Sequence, residues 1–222
     1  MAIQLLDAAG TNKAVIDASG GIRMVPSSPH FGSNGAYRVC AYTGAMTAIA
    51  AGTATAGHIF AARWAQATKL ALITNLRAKF VTVTGFTAAQ EIGIDAFIAR
   101  SYTASHSAQT ALTLSGNAAK KRSSYSSTGF ADIRISNTGP LTAGTHTLDP
   151  NPFAAGFAKE MATGAAVPTS FCELSFSLGD LAAHPIVLSE NTGIVIRNVI
   201  ALAAGATARF TVEMDWLEVD SY

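Results

Sequence analysis

Alternation of apolar and polar residues is clearest near the C-terminal end of the chain. Within 207–219, one side of a two-residue period carries the apolar residues Phe210, Val212, Met214 and Trp216. A period of two indicates a β-strand with one face in a core. The preceding segment, 193–202, is rich in β-branched residues, and small residues link it to 207–219. Strand, short link and strand are typical of an antiparallel sheet.

The same pattern recurs through most of the chain and predicts an all-β fold. We expect strands at 37–43, 57–66, 69–84, 90–100, 131–136, 172–178, 185–188, 193–202 and 207–219. Strands joined by loops of unequal length favour an antiparallel, jelly-roll-like β-sandwich over an up-and-down barrel. Trp64 and Trp216 both lie in alternating segments, so we expect both in the core.

Two long loops separate the predicted strands, at 101–129 and 137–170. Loops of this length in a compact domain are usually functional or ordered by a partner. The first is rich in Ser, Thr and Ala, and the second carries several prolines. Within the second, Pro152–Thr163 is the one segment where a helix competes, because its large apolar residues recur at a spacing of four.

The first 35 residues differ from the rest and predict an extended N-terminal arm, followed by a sandwich domain at 36–222. Short extended pieces alternate there with Gly, Pro and Ser. Such pieces are too short to form a core, but they can pair with another sheet or another subunit. The alternative is an ordinary first hairpin of the same domain. The apolar residues expected to make partner contacts are Ile3, Leu5, Val15 and Ile22.

The chain contains unusually few charged residues. Charged residues make up 13% of the chain, against about 25% in a typical soluble protein, and the net charge is +1. There is therefore no broad field to attract nucleic acid or an acidic membrane. A weakly charged surface is easier to explain if other subunits cover part of it, which favours a homo-oligomer.

Compartment is indicated by two further features of the sequence. The start of the chain lacks a secretory signal, and no segment has the apolar density of a membrane-spanning helix. We therefore expect synthesis in the cytoplasm and no contact with a membrane. Since nothing indicates export, Cys40 and Cys172 are expected as two buried free thiols rather than a disulfide.

Catalytic motifs are absent from the sequence: it has no phosphate-binding loop, nucleophile elbow or H-E-x-x-H. His146 and Asp149 offer two metal ligands on one loop, which without a third make a weak site, and a turn hydrogen bond is the expected role. Glu213 and Asp215 share a strand face and are expected to be solvated or to face a basic neighbour. We expect no catalytic residue, cofactor or metal. The histidines are scattered singly, at His30, His58, His106, His146 and His184.

One basic run stands out, formed by Lys120, Lys121 and Arg122 in a Ser-rich context. Three interpretations remain open: a solvated loop tip, a docking patch for an acidic protein surface, or a nucleic-acid contact. A single triplet with one aromatic neighbour makes a poor track for phosphates, so the last is disfavoured. The triplet is therefore a candidate for partner contact.

Several segments together resemble a set of tailed-bacteriophage virion proteins. Their order along the chain is more specific than any one of them. The segments are Phe60–Leu70, Leu112–Asn117 followed by Lys121, Leu141–Asp149, His184–Asn198 and Val212–Val219. The resemblance implies a non-enzymatic structural protein of the phage particle, found in the virion, and it brings no catalytic residues.

The resemblance leaves three placements open. A head decoration (cement) protein would bind the major capsid protein and clamp capsomers. It would be a trimer, since cement proteins commonly sit on threefold positions. A tail, collar or fibre component would instead contact other virion proteins or the host. A glycan hydrolase on a β-scaffold is disfavoured because its pair of catalytic carboxylates is missing. The fold alone would not decide among them.

Overall fold

The computed structural model describes residues 34–47, 49–160, 162, 172–177, 184–203 and 205–220. Within these ranges the chain forms β-strands and no helix, so none of it could cross a membrane as a helix. In chain order the strands are β1 (Gly35–Tyr42), β2 (Met46–Thr47), β3 (His58–Trp64), β4 (Leu70–Thr84), β5 (Gln90–Ala104), β6 (Thr110–Ala111), β7 (Phe130–Ile135), β8 (Thr145–Leu148), β9 (Ala154–Glu160), β10 (Cys172–Ser177), β11 (Ile186–Leu188), β12 (Thr192–Asn198) and β13 (Thr207–Val219).

The strands form two antiparallel sheets that pack face to face, so the predicted all-β sandwich is confirmed. The first sheet has the order β1-β13-β4-β10, with β2 beside β13 and β11 beside β4. The second has the order β6-β7-β3-β12-β5-β8, with β9 also beside β5. These orders do not identify a jelly roll.

Aromatic side chains fill one end of the space between the sheets. Trp216 of the first sheet stacks on Tyr37 with ring centroids 5.4 Å apart. Phe130 of the second sheet packs edge-on against Trp216 at 5.0 Å and against Trp64 at 5.2 Å. Both tryptophans are fully buried, in the core where the alternating pattern places them.

Every strand predicted from the sequence is present, with ends shifted by a few residues. Four of the described strands were not predicted, namely β2, β6, β8 and β9. The helix considered at Pro152–Thr163 is wrong, because β9 occupies 154–160. Its residues pair with β5 one by one, from Ala96 opposite Ala154 to Gln90 opposite Glu160. Hydrogen bonding along this whole edge overrides the helical spacing of the apolar residues.

The outer faces of the two sheets differ. Residues 137–148, which we call the covering segment, lie over the outer face of the second sheet and are tied there by β8. Beneath them is a second small core, formed by Ala61, Ala99, Tyr102, Leu141 and Val195. On the first sheet the outer face has exposed positions on each of its four main strands.

The exposed outer face of the first sheet, which we call the open face, corrects the expectation that both cysteines are buried. Cys40 and Cys172 are both free thiols, but only Cys172 is buried. Cys40 alternates with the inward residues Val39 and Ala41, so its side chain points outward from β1. The sequence pattern around it contained this information, and the assumption that a free thiol is buried outweighed it.

Candidate functional site

Three of the histidines that are scattered in the sequence meet beneath the covering segment. His58 opens β3, His106 lies in the turn after β5, and His146 is in β8. Each offers one ring nitrogen to a group whose members all lie within 4.8 Å of one another. His58 and His106 are buried, at 0% and 2% exposure, and His146 is partly buried.

A β-bulge sets the position of His58. The register between β12 and β3 shifts between Ile196 and Arg197, so that Ile59 has no partner and His58 lies opposite Arg197. Bulges re-aim the side chains beside them. The carbonyl of His58 then accepts a hydrogen bond from the backbone nitrogen of Leu141 at 2.8 Å, which ties the covering segment to the start of β3.

A second irregularity sets the position of Tyr102 and His106. Ser101 has a φ of 49°, and the pairing of β5 with β8 jumps from Arg100 to Ala104. The strand therefore turns at its end, and the Tyr102 ring enters the small outer core. The ring lies against the α-carbon of Gly193, where a β-carbon would come within 2.7 Å of Tyr102 Cδ1.

The hydrogen bonds of the cluster define one consistent arrangement of protons. Nε2 of His58 lies 3.1 Å from the carbonyl oxygen of Thr53, and because a carbonyl only accepts, Nε2 carries the hydrogen. In a neutral ring Nδ1 of His58 is then an acceptor. It accepts a hydrogen bond from His106 Nε2, which is 2.6 Å away. Nδ1 of His106 in turn accepts from the hydroxyl of Tyr102.

Burial keeps these rings neutral. It lowers the pKa of His58 to about 4, helped by the nearby His146 and Arg197 and opposed by the Thr53 carbonyl. Burial likewise lowers the pKa of His106 to about 3, with further lowering from His58, His146 and Arg134. The pKa of His146 is lowered by burial, against a weak backbone contact with Gly144. At neutral pH the cluster therefore presents uncharged imidazoles.

Neutral imidazole is the form that binds Zn²⁺, Ni²⁺ and Cu²⁺, so the three rings have the chemistry of a metal-ligand set. The same rings also form a polar network that connects β3, the turn after β5 and the covering segment. His58 and His106 are closed off from solvent, and His146 is partly exposed. The fold therefore brings together three histidines that are scattered singly in the sequence.

No sequence signal could have found this cluster. His58, His106 and His146 belong to three separate segments, and their spacings match no metal-binding motif. Their proximity depends on two bulges and on the pairing of β8 with β5. The one pair that the sequence did suggest, His146 with Asp149, is not formed. Asp149 instead accepts two hydrogen bonds of 2.9 Å from Arg100.

The basic triplet extends the edge of the first sheet. Lys120 forms an isolated antiparallel bridge with Tyr37 of β1, and the Lys121 backbone nitrogen donates to the Ala36 carbonyl at 2.9 Å. Lys121 and Arg122 are exposed. The triplet therefore lies alongside β1 at the edge of the first sheet, with cationic ends at the surface.

Asp215 joins the triplet to the sheet. Its carboxylate lies 2.5 Å from Lys121 Nζ and accepts two hydrogen bonds from the Arg38 guanidinium at 3.1 and 3.2 Å. Asp215 faces basic neighbours, as predicted, and does not act as a carboxylate pair with Glu213. The other proposed contact residues, Ile3, Leu5, Val15 and Ile22, lie outside the described residues, as does most of the predicted arm.

Neither protein-family models nor curated proteins nor solved structures match this chain.

Proposed function

We propose that this chain is a non-enzymatic structural component of a tailed-bacteriophage particle, a decoration protein that binds the outer surface of the head. The observation that carries the proposal is the open outer face of the first sheet. A decoration protein needs a broad, rigid surface for its partner, and this face presents four paired strands on a packed sandwich. The resemblance of five sequence segments to virion proteins supplies the partner class.

Charges on the open face suit a protein partner. Arg77 and Lys79 both pair with Glu173, at 2.5 and 3.7 Å, so positive and negative groups alternate across the strands. Arg38 and Lys121 flank Asp215 at one side. Mixed charges give specificity and orientation to a protein interface without the single-sign field that favours nucleic acid.

An exposed aromatic residue provides an anchor on the same face. Tyr42, at the end of β1, is 70% exposed beside Thr211 of β13. Tyrosine is enriched among the residues that dominate binding energy, because its ring buries apolar area while its hydroxyl keeps a polar contact. We therefore propose Tyr42 as an anchor of the contact with the capsid protein.

The buried chemistry supports a structural role over an enzymatic one. Two members of the histidine cluster, His58 and His106, are buried beneath the covering segment. Its hydrogen bonds connect strands and a loop of the same molecule. A trimeric state accompanies the proposal, since a trimer matches the local threefold positions of a capsid.

Co-sedimentation with undecorated heads of the phage that encodes the chain tests the proposal. The full-length protein should sediment with heads, and Tyr42→Ala should weaken that binding about tenfold, the loss typical of an anchoring aromatic residue. Phe157→Ala is the matched control, because Phe157 is also an exposed aromatic residue, at 55%, but belongs to the second sheet. Light scattering of the free protein should give the mass of a trimer.

Two results would contradict the proposal. Equal head binding by wild type and Tyr42→Ala would mean that the open face is not part of the contact. Recovery of the protein with purified tails, and not with heads, would replace the head placement by a tail or collar placement.

A further inference from the structure

We propose that His58, His106 and His146 bind one divalent transition-metal ion, with zinc as the physiological candidate, and that the ion fastens the covering segment to the second sheet. The site is independent of the proposed place of the chain in a virion. It rests on the geometry of the three rings, on their outer hydrogen-bonding partners and on the nitrogens of His146.

The three rings already lie close to the arrangement in which they could bind one metal ion. Zinc binds imidazole nitrogen at about 2.0–2.1 Å, so two tetrahedral ligands lie about 3.3 Å apart. Nδ1 of His58 and Nε2 of His106 are 2.6 Å apart, and all three ligand atoms lie within 4.8 Å of one another. Small ring movements would therefore give one ion equal distances to all three.

Each ring of the buried pair has the outer partner that a metal ligand needs. Metal-binding histidines almost always hold their other ring nitrogen by a hydrogen bond, which fixes the tautomer. For His58 this partner is the Thr53 carbonyl, at 3.1 Å from Nε2. For His106 it is the hydroxyl of Tyr102 beside Nδ1.

His146 supplies an independent indication of a ligand. Both of its ring nitrogens are buried from solvent, and neither has a hydrogen-bonding partner of good geometry. A buried polar atom without a partner costs free energy, and such atoms in native proteins usually mark a function or a bound ion. A metal ion between the three rings would satisfy one nitrogen of His146 directly.

Binding requires one internal proton transfer and no loss of protons. In the metal-free chain His106 carries its hydrogen on Nε2, which points at His58. When the metal takes that position, the hydrogen moves to Nδ1 of His106 and is donated to the oxygen of Tyr102. All three imidazoles remain neutral throughout, so no protonated ligand repels the metal ion.

The ion would connect three elements that are distant in sequence. His58 belongs to the start of β3, His106 to the turn after β5, and His146 to β8 in the covering segment. Existing backbone bonds between Ser107 and Thr142, of 3.0 and 3.2 Å, hold the same turn against the same segment. A metal would therefore strengthen a contact that is already formed, as structural zinc does.

The test uses the untagged, full-length protein, stripped with EDTA and then freed of the chelator. Titration with zinc chloride in a calorimeter should give one ion per chain, and the melting temperature should rise with zinc concentration. His146→Gln should weaken zinc binding at least about tenfold, since even an outer partner of a ligand contributes that much. It should remain folded, because the His146 nitrogens make no good hydrogen bond to lose.

His184→Gln is the matched control, because His184 is an exposed histidine outside the cluster. It should bind zinc as the wild type does. Substitution with Co²⁺ gives a second readout that needs no variant: imidazole-bound tetrahedral cobalt should show visible absorption in the wild type. Absence of zinc binding and of the cobalt spectrum, or equal zinc affinity in wild type and His146→Gln, would overturn the proposal.

Discussion

Nδ1 of His58 and Nε2 of His106 lie 2.6 Å apart, although the two residues are separated by 48 positions in the chain. The contact exists only when the start of β3 and the turn after β5 have both reached their final positions. Burial of the two rings lowers both pKa values; His146 lowers that of His58 further, and His58 and His146 lower that of His106 further. Because of this buried pair, the stability of the tertiary structure should depend on pH.

We expect the metal-free protein to lose stability as the pH falls from 7 to 5. The pKa values of His58 and His106 are lowered by folding, so the unfolded chain binds protons there below about pH 6.5 while the folded chain does not. The full contribution of the two histidines to the free energy of unfolding is present above about pH 6.5, and it declines as the pH falls towards their pKa values in the folded state. The expected loss is about 2 kcal/mol for each histidine.

Urea unfolding in EDTA at pH 7, 6 and 5 measures this loss. His184→Gln should follow the wild type, since its side chain is exposed and outside the pair. Arg197 near His58 and Arg134 near His106 lower the histidine pKa values further, which acts in the same direction. An unfolding free energy that stays constant between pH 7 and pH 5 would contradict the neutral, buried state of the pair.

Gly193→Ala should destabilise the fold by about 2 kcal/mol or more and disturb the cluster at the same time. A β-carbon at this position would lie 2.1 Å from the Ala62 carbonyl oxygen and 2.7 Å from the Tyr102 ring. The carbonyl belongs to the central strand β3 and cannot move freely, so overpacking must displace strand or ring. Displacement of Tyr102 would remove the hydroxyl that faces His106.

Urea unfolding measures the stability of Gly193→Ala, and zinc titration reports the state of its cluster. Gly139→Ala is the control, because a β-carbon there meets only the end of the Gln109 side chain, at 3.7 Å. If both alanine variants are as stable as the wild type, the close approach of β12 to β3 is not as tight as the structure shows.

How far the sequence predicts this molecule depends on the kind of contact. The predicted strands followed from local alternation, because buried residues such as Phe210, Val212 and Met214 of β13 alternate with polar neighbours. β9 did not, since its pairing with β5 opposes the helical spacing of its own apolar residues. Local pattern specifies a strand only when side-chain alternation and sheet pairing agree.

The histidine cluster shows the same limit more sharply. His58 is positioned by an unpaired residue in β3, and His106 by the turn that begins at Ser101. Neither bulge could be recognised from the sequence. Serine rarely adopts a positive φ, so the residue type at this position gave no sign of the turn. The covered outer face was likewise hidden, since the covering segment was predicted only as part of a long loop.

Trp216→Ala should reduce the free energy of unfolding by about 3–5 kcal/mol, the range for truncating a large buried aromatic residue. The indole is fully buried between Tyr37 and Phe130, and Nε1 lies 3.3 Å from Thr128 Oγ1. Its loss would leave a cavity between the sheets. Urea or thermal unfolding measures the effect. Phe157→Ala, at an exposed aromatic position, should cost far less, and equal costs would place Trp216 outside the core.

Asp215→Asn should reduce stability by about 1–2 kcal/mol, because the change weakens charged hydrogen bonds from Arg38 and Lys121. Burial opposes ionisation of Asp215, but these partners outweigh it and lower its pKa. Glu213→Gln is the matched control, two residues away on the same strand face. Urea unfolding of both variants makes the comparison. A cost for Glu213→Gln as large as that for Asp215→Asn would mean that general charge, rather than this network, stabilises the edge.

Removal of residues 1–33 should leave a folded sandwich that binds heads more weakly. The cut preserves Asn34, whose backbone nitrogen donates to the Glu218 carbonyl at 3.1 Å and whose side chain bonds Asp220 at 2.6 Å. It also preserves the whole of β1, which begins at Gly35 and pairs with β13. The core strands described above thus stay complete.

The expected loss of binding follows from the sequence of the removed part. Short alternating pieces separated by Gly, Pro and Ser can pair with the edge of another sheet, and main-chain hydrogen bonds then add affinity. Circular dichroism of the truncated and full-length proteins reports folding, and co-sedimentation with undecorated heads reports binding. If the truncated chain unfolds, the first residues belong to the core as an ordinary hairpin. If it folds and sediments as well as the full chain, the arm contributes nothing to attachment, and the open face of the first sheet must provide all of it.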